Sequence, residues 1–460
     1  MGRIFGTDGV RGIANTELSC KLAMNVGRAA AMVIAERIGR KPTIVIGKDT
    51  RISSDMLEAA LAAGLTSVGA DVVLAGVLPT PAISCIIAQG KADAGIMLSA
   101  SHNSYEYNGI KIFGPGGVKL PDSAEFEIEQ IVLDKVKPYH LRWGWELGRI
   151  VRDETLAEYY IGHIAKSVNE SLSGLRVAVD CSNGSASATA ASLFSRLGVR
   201  AEIISDQPNG VNINRECGST HMERLKEHVA HGSFDAGIAF DGDADRCLAV
   251  DETGKMIDGD VIMAIIAKEM KDKGTLRSNT LVATVMSNLG LFRFAEENGI
   301  NVLQTKVGDR YVLEQMLKHG YNLGGEQSGH VILAEHMPTG DGQLTAITLL
   351  SILKGSGKKL SELAAVMKVF PQVMVGIQAD PVMKSILNVD EGAKRIIEEA
   401  KHRLGGDGRI LVRASGTEPL IRVMVEGVDE KVITILADEV AETLRERLSN
   451  NEDCKKLEGF

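Results

Sequence analysis

The chain has 460 residues, of which 44% are hydrophobic and 24% are charged. This length is too great for a single hydrophobic core, so the sequence predicts several domains with the composition of a soluble globular protein. The net charge of -9 disfavours a general nucleic-acid-binding protein, which normally carries a basic excess.

The start of the chain and its cysteines predict a cytoplasmic protein without a membrane span. The most apolar N-terminal region, residues 22–38, is interrupted by Arg28 and Glu36, which is typical of a core helix. We find no apolar stretch of signal-peptide length before it. The six cysteines lie scattered without CxxC pairs, a spacing that favours reduced thiols over a disulfide framework or a zinc site.

A glycine-rich loop at residues 6–12 (GTDGVRG) is the first candidate for ligand binding. Glycines allow the backbone to approach a ligand closely. The single arginine of this loop, Arg11, suits a phosphate or a carboxylate group. A surface turn with an unengaged arginine is the competing interpretation of the same residues.

A pattern of strand, loop, helix, glycine and strand occurs three times along the chain. The first strands of the three units are residues 43–47, 175–180 and 280–285. Because the units follow one another at intervals of roughly a hundred residues, they predict three related α/β domains in tandem and not a solenoid.

The last part of the chain has a different order of elements. Residues 354–359 (KGSGKK) predict a boundary turn. Beyond them, two strands at 409–413 and 420–425 precede a helix over 429–448. Consecutive strands followed by a helix favour a smaller α+β domain at this end of the chain.

Ser101 follows an apolar strand at residues 95–98 and lies in a polar loop that continues through His102 and Asn103. Open α/β folds bind ligands at the carboxyl ends of their strands, so Ser101 is a candidate reacting hydroxyl. By itself, such a cluster is also typical of ordinary turn chemistry, because these side chains hydrogen-bond to their own backbone.

Three aspartates, Asp241, Asp243 and Asp245, alternate with small residues after an apolar strand at 236–240. Without a cation, three clustered carboxylates would repel one another strongly at low effective dielectric. Hard oxygen ligands of this kind suit Mg²⁺, Mn²⁺ or Ca²⁺ and not zinc. The sequence therefore predicts a metal site, with a solvated acidic turn as the alternative.

An EF-hand must also be considered, because Glu252 occupies position twelve counted from Asp241. However, Arg246 stands at position six, where the sharp turn of an EF-hand requires glycine. Residues 247–250 form an apolar strand where an EF-hand would continue into a helix. We therefore reject an EF-hand.

Three protein ligands leave the octahedral coordination of Mg²⁺ incomplete, and Ser101 is the candidate that completes it. A phosphorylated serine carries about −1.5 to −2 charges and three acceptor oxygens, so it would supply both a metal ligand and a group for transfer. The basic residues available to balance this charge are Arg11, Lys111 and Arg246. Lys111 is also a candidate general acid and base if burial lowers its pKa.

Two further loops carry polar side chains beside glycines. Glu326, Ser328 and His330 alternate within residues 324–330 and can present donors and acceptors to a polyol, although a polar surface loop is the alternative. Residues 413–417 combine an arginine, two hydroxyls and a glycine, which suits a phosphate site better than a plain hairpin connection. The predicted phosphate-site residues are Arg413, Ser415, Gly416, Thr417 and Arg422.

With these four loops, the chain resembles the α-D-phosphohexomutase superfamily in motif order and over essentially its whole length. The similar segments are 98–103 (LSASHN) for its phosphoserine loop, 241–246 (DGDADR) for its metal loop, 325–330 (GEQSGH) for its sugar loop and 413–419 (RASGTEP) for its phosphate loop. Within the superfamily, residues 6–12, Gln327 and residues 306–311 (KVGDRY) look most like the phosphoglucosamine mutase group.

One residue departs from the pattern of the superfamily. Ser104 stands where the family usually has proline after the His-Asn pair. The change removes a fixed φ angle but no reacting atom. We therefore expect a lower preference of the loop for one conformer as its only cost.

The resemblance implies the fold class α/β, with three tandem related mixed α/β domains plus a smaller C-terminal α+β domain around a central cleft. The corresponding domains are residues 1–152, 153–253, 254–366 and 367–460. It also implies one Mg²⁺ per chain, bound by Ser101 and the three aspartates. A bisphosphorylated sugar would serve as intermediate and activator.

The implied activity is the interconversion of glucosamine 6-phosphate and glucosamine 1-phosphate through a phosphoserine. The resemblance gives catalytic roles to Ser101, Lys111, Arg11, His102 and Arg246. Two alternatives stay open, a phosphomannomutase or phosphoglucomutase of the same superfamily and a sugar-phosphate-binding protein without turnover. The expected partner is a small sugar phosphate, with no nucleic acid and no membrane, and a homodimer is a candidate assembly.

Overall fold

The computed structural model describes residues 2–6, 8–415 and 419–449. These residues form two compact units. Unit 1 contains the residues up to Met286 together with Asn298–Val366, and unit 2 contains Ser287–Glu297 together with the residues from Met367 onward. Within the described part of the chain, no helix is both long enough and apolar enough to cross a membrane.

The first sheet of unit 1 has seven strands in the order β1-β2-β6-β5-β3-β4-β7. They are β1 (Phe5–Gly6), β2 (Gly9–Ile13), β3 (Thr43–Lys48), β4 (Asp71–Val77), β5 (Ala94–Leu98), β6 (Tyr107–Phe113) and β7 (Ile150–Arg152). The pairs β5–β3, β3–β4 and β4–β7 are parallel, whereas β1–β2, β2–β6 and β6–β5 are antiparallel. The central strands β3 and β5 are buried, as expected for apolar strands covered on both faces.

Five helices accompany these strands along the chain. They are α1 (Cys20–Ile38), α2 (Ile52–Ser67), α3 (Thr80–Ala88), α4 (Asp122–Glu129) and α5 (Leu156–Ala165). The side chain of Ser19 caps α1 by accepting the N–H of Leu22, which satisfies one of the free donors at a helix start. The apolar faces of α1, α2 and α4 share one hydrophobic core with β3, β5 and β6.

The second sheet of unit 1 has five strands in the order β12-β11-β10-β8-β9. Its strands are β8 (Arg176–Asp180), β9 (Arg200–Ile204), β10 (Ala236–Phe240), β11 (Cys247–Asp251) and β12 (Met256–Ile257), and its helices are α6 (Ala190–Arg196), α7 (Glu223–His231) and α8 (Gly259–Asp272). Strand β8 is parallel to β9 and β10, and β11 is antiparallel to β10. The loop between β10 and β11 carries the three candidate metal ligands.

The third sheet of unit 1 has four strands in the order β14-β13-β15-β16. Its strands are β13 (Thr280–Thr284), β14 (Asn301–Thr305), β15 (Leu323–Gly325) and β16 (Val331–Leu333). The helices in this stretch are α9 (Leu289–Glu297), which belongs to unit 2, and α10 (Asp309–His319), α11 (Gly342–Ser356) and α12 (Leu360–Ala364), which belong to unit 1. The connection between β15 and β16 carries the predicted sugar loop.

Unit 2 is built on an antiparallel sheet with the order β17-β19-β18. Its strands are β17 (Gln372–Gln378), β18 (Gly408–Ala414) and β19 (Leu420–Gly427), and its further helices are α13 (Pro381–Ile386), α14 (Glu391–Leu404) and α15 (Glu430–Ser449). The N–H of Leu289, at the start of α9, donates to the buried carboxylate of Glu426 at 3.1 Å. A carboxylate at a helix N-terminus is favourable because the backbone N–H groups there are unsatisfied.

The three predicted strand–helix–strand units are confirmed as β3-α2-β4, β8-α6-β9 and β13-α9-β14, each with its two strands parallel. The predicted order of two strands and a helix at the C-terminal end is also confirmed. The boundary turn predicted at 354–359 is wrong in its first half, because α11 continues to Ser356. Gly357 ends this helix in the left-handed conformation, with φ 64°.

Candidate active site

The loops that follow β5 and β10 meet, although their key residues are far apart in the sequence. The hydroxyl of Ser101 donates a hydrogen bond to Oδ2 of Asp241 at 2.6 Å across a separation of 140 residues. Both side chains are buried. Each loop leaves the carboxyl end of a strand that has a parallel neighbour, which is the edge where open α/β sheets bind ligands. The structure therefore brings the candidate hydroxyl to the first candidate metal ligand.

The close contact between these two loops requires glycine at position 242. A Cβ atom there would lie 2.5 Å from the carbonyl oxygen of Ser101 and 2.9 Å from Nδ2 of Asn214. Asn214 donates to the carbonyl oxygens of Ser101 and Asn103 at 2.8 and 2.9 Å. A larger residue at 242 would therefore push the Ser101 loop away from the metal loop.

The backbone of the Ser101 loop is fixed by the buried guanidinium of Arg51. Its Nε donates to Oδ2 of Asp49 at 2.8 Å. Its Nη atoms donate to four carbonyl oxygens of the loop, those of Ser101, Asn103, Ser104 and Tyr107. A planar fork of donors restrains several points of the loop at once. These bonds supply a restraint that includes Ser104, the position where the family usually has proline.

Ser101 adopts a left-handed backbone conformation, with φ 53°. This conformation costs a non-glycine residue about 1–2 kcal/mol, so neighbouring groups must stabilise it. The N–H of Ser101 donates to Oγ of Ser99 at 2.9 Å, and Ser99 donates to Asp49 at 2.6 Å. One buried carboxylate, that of Asp49, thus orients both Ser99 and Arg51 beneath the loop.

The three aspartates present carboxylate oxygens that all lie within 4.8 Å of one another, and their side chains are buried. Burial, together with the negative charges of Asp245 and Asp243, raises the pKa of Asp241 well above its usual range. One oxygen each of Asp243 and Asp245 is buried without a hydrogen-bond donor among the described residues. Buried carboxylate oxygens that lack donors fit a hard divalent cation such as Mg²⁺.

Lys111 lies on β6, and its ammonium group contacts the metal loop. Its Nζ is 2.7 Å from Oδ2 of Asp243 and 2.9 Å from Oδ2 of Asp8, and only 1% of its side chain is exposed. Burial alone would lower the pKa of Lys111, but the carboxylates around it, Asp243 first, outweigh burial and raise the pKa. The acid–base role of Lys111 was conditional on a lowered pKa, and the residues around it do not meet that condition, because neighbouring charges act against desolvation.

The glycine-rich loop near the start of the chain contributes Asp8 and Arg11. Arg11 forms an ion pair with Asp8, so it is not the unengaged arginine of a surface turn. Asp8 also pairs with Lys111 and Lys119. Burial alone would raise the pKa of Asp8, but these three cations hold it well below its usual range. Asp8 is therefore a shared anionic partner for the basic groups of the site.

The side chains of Arg246 and His102 contact each other next to Ser101. Nη1 of Arg246 is 3.3 Å from Nδ1 of His102. The backbone N–H of Arg246 donates to Oδ1 of Asp241 at 3.3 Å. Partial burial and the positive charges of Arg246 and Arg11 lower the pKa of His102, so its ring is neutral at neutral pH. The structure thus places the four other residues predicted to be catalytic in contact with the Ser101 loop or with the metal loop that Ser101 meets.

His330 connects the sugar loop with the metal loop. Its Nδ1 lies 3.6 Å from Oδ2 of Asp245, and its Nε2 lies 3.8 Å from Oδ2 of Asp309. Burial alone would lower the pKa of His330, but Asp245 and the neighbouring carboxylates raise it to about 9. In the structure Nε2 of His330 accepts the backbone N–H of Gly340 at 3.2 Å, so Nδ1 is the nitrogen that presents a proton to Asp245.

The remaining residues of the sugar loop differ in exposure. The N–H of Glu326 donates to the carbonyl oxygen of His330 at 2.9 Å, and Oε1 of Glu326 accepts the N–H of Gly308 at 3.0 Å. Ser328 is exposed at the tip of the loop. The carboxylate of Glu326 is thus held in place by backbone, whereas the hydroxyl of Ser328 faces solvent.

Unit 2 carries the residues predicted to bind phosphate. Arg413 on β18 stands directly opposite Arg422 on β19, and like charges in such a pair are unfavourable unless negative charge lies nearby. Ser415 is buried at the end of β18. Gly416 and Thr417, which belong to the same prediction, lie outside the described residues.

The sequence analysis missed four residues that support the site, namely Asp49, Arg51, Thr80 and Asn214. The hydroxyl of Thr80 donates to Oδ2 of Asp243 at 2.5 Å. Asp49 and Arg51 directly follow β3, and a polar residue at the end of an apolar strand is a signal that can identify them. Thr80 and Asn214 have no comparable signal, because such residues are common in caps and turns.

Four family models match consecutive parts of the chain. They describe the alpha/beta/alpha domains I, II and III and the C-terminal domain of phosphoglucomutase/phosphomannomutase. The matched residues are 2–138, 158–254, 258–370 and 353–443, respectively. This order confirms the predicted fold class of three tandem α/β domains followed by a different C-terminal domain.

Curated relatives match over almost the full length of both chains. A phosphoglucosamine mutase from Caldicellulosiruptor saccharolyticus is 52% identical over 452 residues, which are 98% of this chain and 100% of the relative. A phosphoglucosamine mutase from Acetivibrio thermocellus is 50% identical over 448 residues, which are 97% and 100% of the two chains. The similarity therefore extends over all the sheets described above.

Solved structures share the fold at lower identity. A phosphoglucomutase/phosphomannomutase family protein from Burkholderia thailandensis has a TM-score of 0.81 at 24% identity and covers 97% of this chain and 98% of its own. An N-acetylphosphoglucosamine mutase from Aspergillus fumigatus, in complex with GlcNAc-6P and magnesium, has a TM-score of 0.70 at 17% identity and covers 96% and 95%. The latter enzyme is also known in complex with glucose 1,6-bisphosphate, with a TM-score of 0.68 at 18% identity and coverage of 97% and 96%.

The hydrogen bonds of Arg51 predict a large effect of its removal on stability. Arg51→Met leaves the buried carboxylate of Asp49 without its cation, which should cost about 3–5 kcal/mol. Arg51→Lys keeps the charge but loses the fork, so it should cost less. The midpoint of urea-induced unfolding, followed by circular dichroism, measures both effects.

A matched control for these variants is Arg3→Met, because Arg3 forms an exposed ion pair with Asp134. Water and salt screen such an exposed pair, so its removal should change stability little. Equal shifts of the unfolding midpoint for Arg51→Met and Arg3→Met would contradict the structural role that we assign to Arg51.

Proposed function

The chain belongs to the phosphoglucomutase/phosphomannomutase family, and from this premise we propose that it interconverts glucosamine 6-phosphate and glucosamine 1-phosphate. The reaction proceeds through a phosphoserine at position 101 and a bisphosphorylated sugar. Full-length relatives at 52% and 50% identity that are phosphoglucosamine mutases support the choice of sugar. The arrangement of the Ser101 and metal loops supports the chemistry.

The observation that carries the proposal is the 2.6 Å hydrogen bond between Ser101 and Asp241. A serine in an ordinary turn hydrogen-bonds to its own backbone, whereas the hydroxyl of Ser101 donates to one of three buried carboxylates. A phosphoryl group on Ser101 would instead lie beside a cation site and beside the buried ammonium of Lys111. Phosphoryl transfer depends mainly on such positioning and on electrostatic stabilisation of the transferred group.

The proposed reaction has two half-reactions that balance each other. In the first, the bond between Oγ of Ser101 and phosphorus breaks while phosphorus bonds to the free hydroxyl oxygen of the sugar monophosphate. That hydroxyl loses its proton, Ser101 gains one, and the sugar becomes a bisphosphate. In the second, the phosphoryl group at the other position of the sugar returns to Ser101, and the isomeric monophosphate leaves.

Asp241, Asp243 and Asp245 are the proposed protein ligands of one Mg²⁺, with an oxygen of phosphorylated Ser101 as a further ligand. When bound, the ion supplies positive charge that stabilises the transferred phosphoryl group and offsets the carboxylates that raise the pKa of Lys111. The buried oxygens of Asp243 and Asp245 that lack donors among the described residues support this assignment. Magnesium in the solved A. fumigatus mutase supports the choice of ion.

The cations of the chain have separate roles in the proposal. Lys111, which is charged, donates a proton to Oγ of Ser101 as the bond to phosphorus breaks and takes up the proton that the sugar hydroxyl loses. Arg11 and Arg246 balance the charge of phosphorylated Ser101. His102 is neutral and orients Arg246 through the 3.3 Å contact between their nitrogen atoms.

Substrate recognition is assigned to two loops. Glu326, Ser328 and His330 bind the hydroxyls of the sugar in either orientation. The phosphate that is not reacting is bound by the residues of unit 2, which are Arg413, Ser415, Gly416, Thr417 and Arg422. A bound glucose 1,6-bisphosphate in the A. fumigatus enzyme supports a bisphosphorylated intermediate.

Several expectations stay predictions. The domain boundaries at 152/153, 253/254 and 366/367 and the cytoplasmic location belong to this group.

A phosphomannomutase or phosphoglucomutase would use the same chemistry on another sugar, and a binding protein would retain the sugar loop without turnover. The two experiments below separate these alternatives.

The phosphoserine predicts a mass change that is lost in one variant. Intact mass spectrometry of the protein made in cells should show a fraction heavier by about 80 Da, the mass of one phosphoryl group. Ser101→Ala should lack this species and nearly all turnover. Ser104→Ala is a suitable control, because it alters a hydroxyl in the same loop, and it should retain the heavier species. Normal turnover by Ser101→Ala would end the proposal.

The choice of sugar predicts an order of rates. With Mg²⁺ and a trace of the matching bisphosphate, kcat/KM should be higher for glucosamine 6-phosphate than for mannose 1-phosphate or glucose 1-phosphate. Addition of EDTA should abolish turnover on all three sugars, because the buried carboxylates then lack their counter-charge. A preference for mannose or glucose would favour the alternative mutases, and binding without turnover would favour the non-catalytic protein.

A homodimer through the edge strand β7 is the assembly that we propose. Ile150 and Val151 on this strand are about half exposed, and nearby Trp143 and Trp145 are 80% and 90% exposed. Antiparallel pairing of β7 with its copy about Val151 would place Arg149 opposite Asp153 of the second chain. Complementary charge and apolar surface therefore favour a second copy as the occupant of this edge.

The assembly is tested by the molar mass in solution. Size-exclusion chromatography with light scattering should give twice the mass of one chain for the protein and the mass of one chain for Val151→Asp. Ile435→Asp, which alters an exposed apolar residue of α15, should remain a dimer. A monomeric parent protein would contradict the proposed dimer.

A further inference from the structure

Two consecutive residues at the start of α10 contact residues 119–125, a segment that follows β6 of the first sheet. Asp309 forms an ion pair with Lys119, with 2.5 Å between Oδ2 of Asp309 and Nζ of Lys119. Arg310 pairs with Asp122 and Glu125. Opposite charges therefore alternate across this contact, and we call Lys119 and Asp309 together the latch.

Lys119 is the enclosed member of the latch and has a second partner. Its Nζ also lies 2.5 Å from Oδ1 of Asp8, and only 14% of its side chain is exposed. Burial alone would lower the pKa of Lys119, but the carboxylates of Asp309 and Asp8 raise it to about 12. The group is therefore a charged bridge between two carboxylates that lie 301 residues apart in the sequence.

Each carboxylate of the bridge leads to one half of the proposed active site. On one side, Asp8 pairs with Lys111 at 2.9 Å, and Lys111 contacts the metal loop. On the other side, the residue before Asp309 is Gly308, whose N–H donates to Oε1 of Glu326 at 3.0 Å. Lys119 thus connects the residues around Ser101 with the carboxylate of the sugar loop.

A largely enclosed charge between two carboxylates is poorly explained by stability alone. Removing charges from water costs free energy that their attraction only partly returns, so apolar residues at such a place are often as stabilising. Phosphoryl transfer, by contrast, is sensitive to displacements of about 1 Å between the reacting groups. A rigid charged bridge restrains that distance.

We propose that Lys119 is a positioning residue that holds the sugar loop at a fixed distance from Ser101 while the phosphoryl group is transferred. The inference rests on the proposed function and adds a residue that touches neither the three aspartates nor Ser101. Asp309 is the partner through which Lys119 acts on Gly308 and Glu326. Loss of either latch residue should therefore have the same consequence.

Kinetics of four variants measure this coupling. Lys119→Met and Asp309→Asn should each lower kcat for glucosamine 6-phosphate by about 10–100-fold, with a smaller change in KM. The double variant should be no slower than the slower single variant, because one bridge is lost in all three. Lys119→Arg should recover part of the rate, because it retains both ion pairs. Additive losses in the double variant would contradict the latch.

The matched control is Lys137→Met. The side chain of Lys137 is 40% exposed and forms ion pairs with Glu36 and Glu127. The kcat of Lys137→Met should equal that of the parent protein. The fraction of phosphoserine in Lys119→Met should also match the parent, because the hydrogen bonds of Ser101 with Arg51, Ser99 and Asp241 do not involve Lys119. A loss of phosphoserine in this variant would show that Lys119 acts on the Ser101 loop and not on the sugar loop, which would overturn the inference.

Hydrogen exchange tests the latch without any assay of activity. Peptides that contain Gly308 and Arg310 should exchange faster in Lys119→Met than in Lys137→Met, because the start of α10 loses its restraint. Unchanged exchange would refute the latch even if the chain proves to act on another sugar. Absence of turnover in the parent protein on every sugar phosphate would refute the proposed function and leave the exchange result to decide on the latch.

Discussion

Three buried carboxylates within 4.8 Å of one another impose the strongest physical constraint on this molecule. Carboxylates at this distance repel one another, and burial removes the water that would screen them. The chain provides counter-charge from separate elements, with Lys111 from β6 and Arg246 from the metal loop, and His330 of the sugar loop lies 3.6 Å from Asp245. The three sheets of unit 1 have separate hydrophobic clusters. Contacts between charged and polar side chains at this site join the three sheets to one another.

The loops that carry the reacting groups have no regular secondary structure, so side chains determine their shape. Arg51 replaces backbone pairing in the Ser101 loop by donating to its carbonyl oxygens. Gly242 allows the metal loop to approach to a distance that any Cβ atom would prevent. Both features act on Ser101, which is held in a left-handed conformation that its own residue type does not favour.

Charges alternate in sign along a path that crosses unit 1. The path runs from Asp309 through Lys119, Asp8 and Lys111 to Asp243, with contacts between 2.5 and 2.9 Å. Because Lys119, Asp8 and Lys111 each have an opposite charge on both sides, the cost of removing them from water is offset locally. The same arrangement explains why Lys111 has a raised pKa at a place where burial alone would lower it. The proposed transfer chemistry depends on this balance.

The three repeated units and the C-terminal order of strands and helix could be predicted from the sequence, because apolar periodicity and turn residues act over short distances. The sequence also determined the Asp241 triplet, since alternate spacing places three carboxylates on one loop. Three properties emerge only from the folded chain: Ser101 lies against Asp241, carboxylates surround Lys111 and raise its pKa, and Arg51 supports the Ser101 loop. These properties depend on distances between residues that are distant in sequence, and neither composition nor spacing contains those distances.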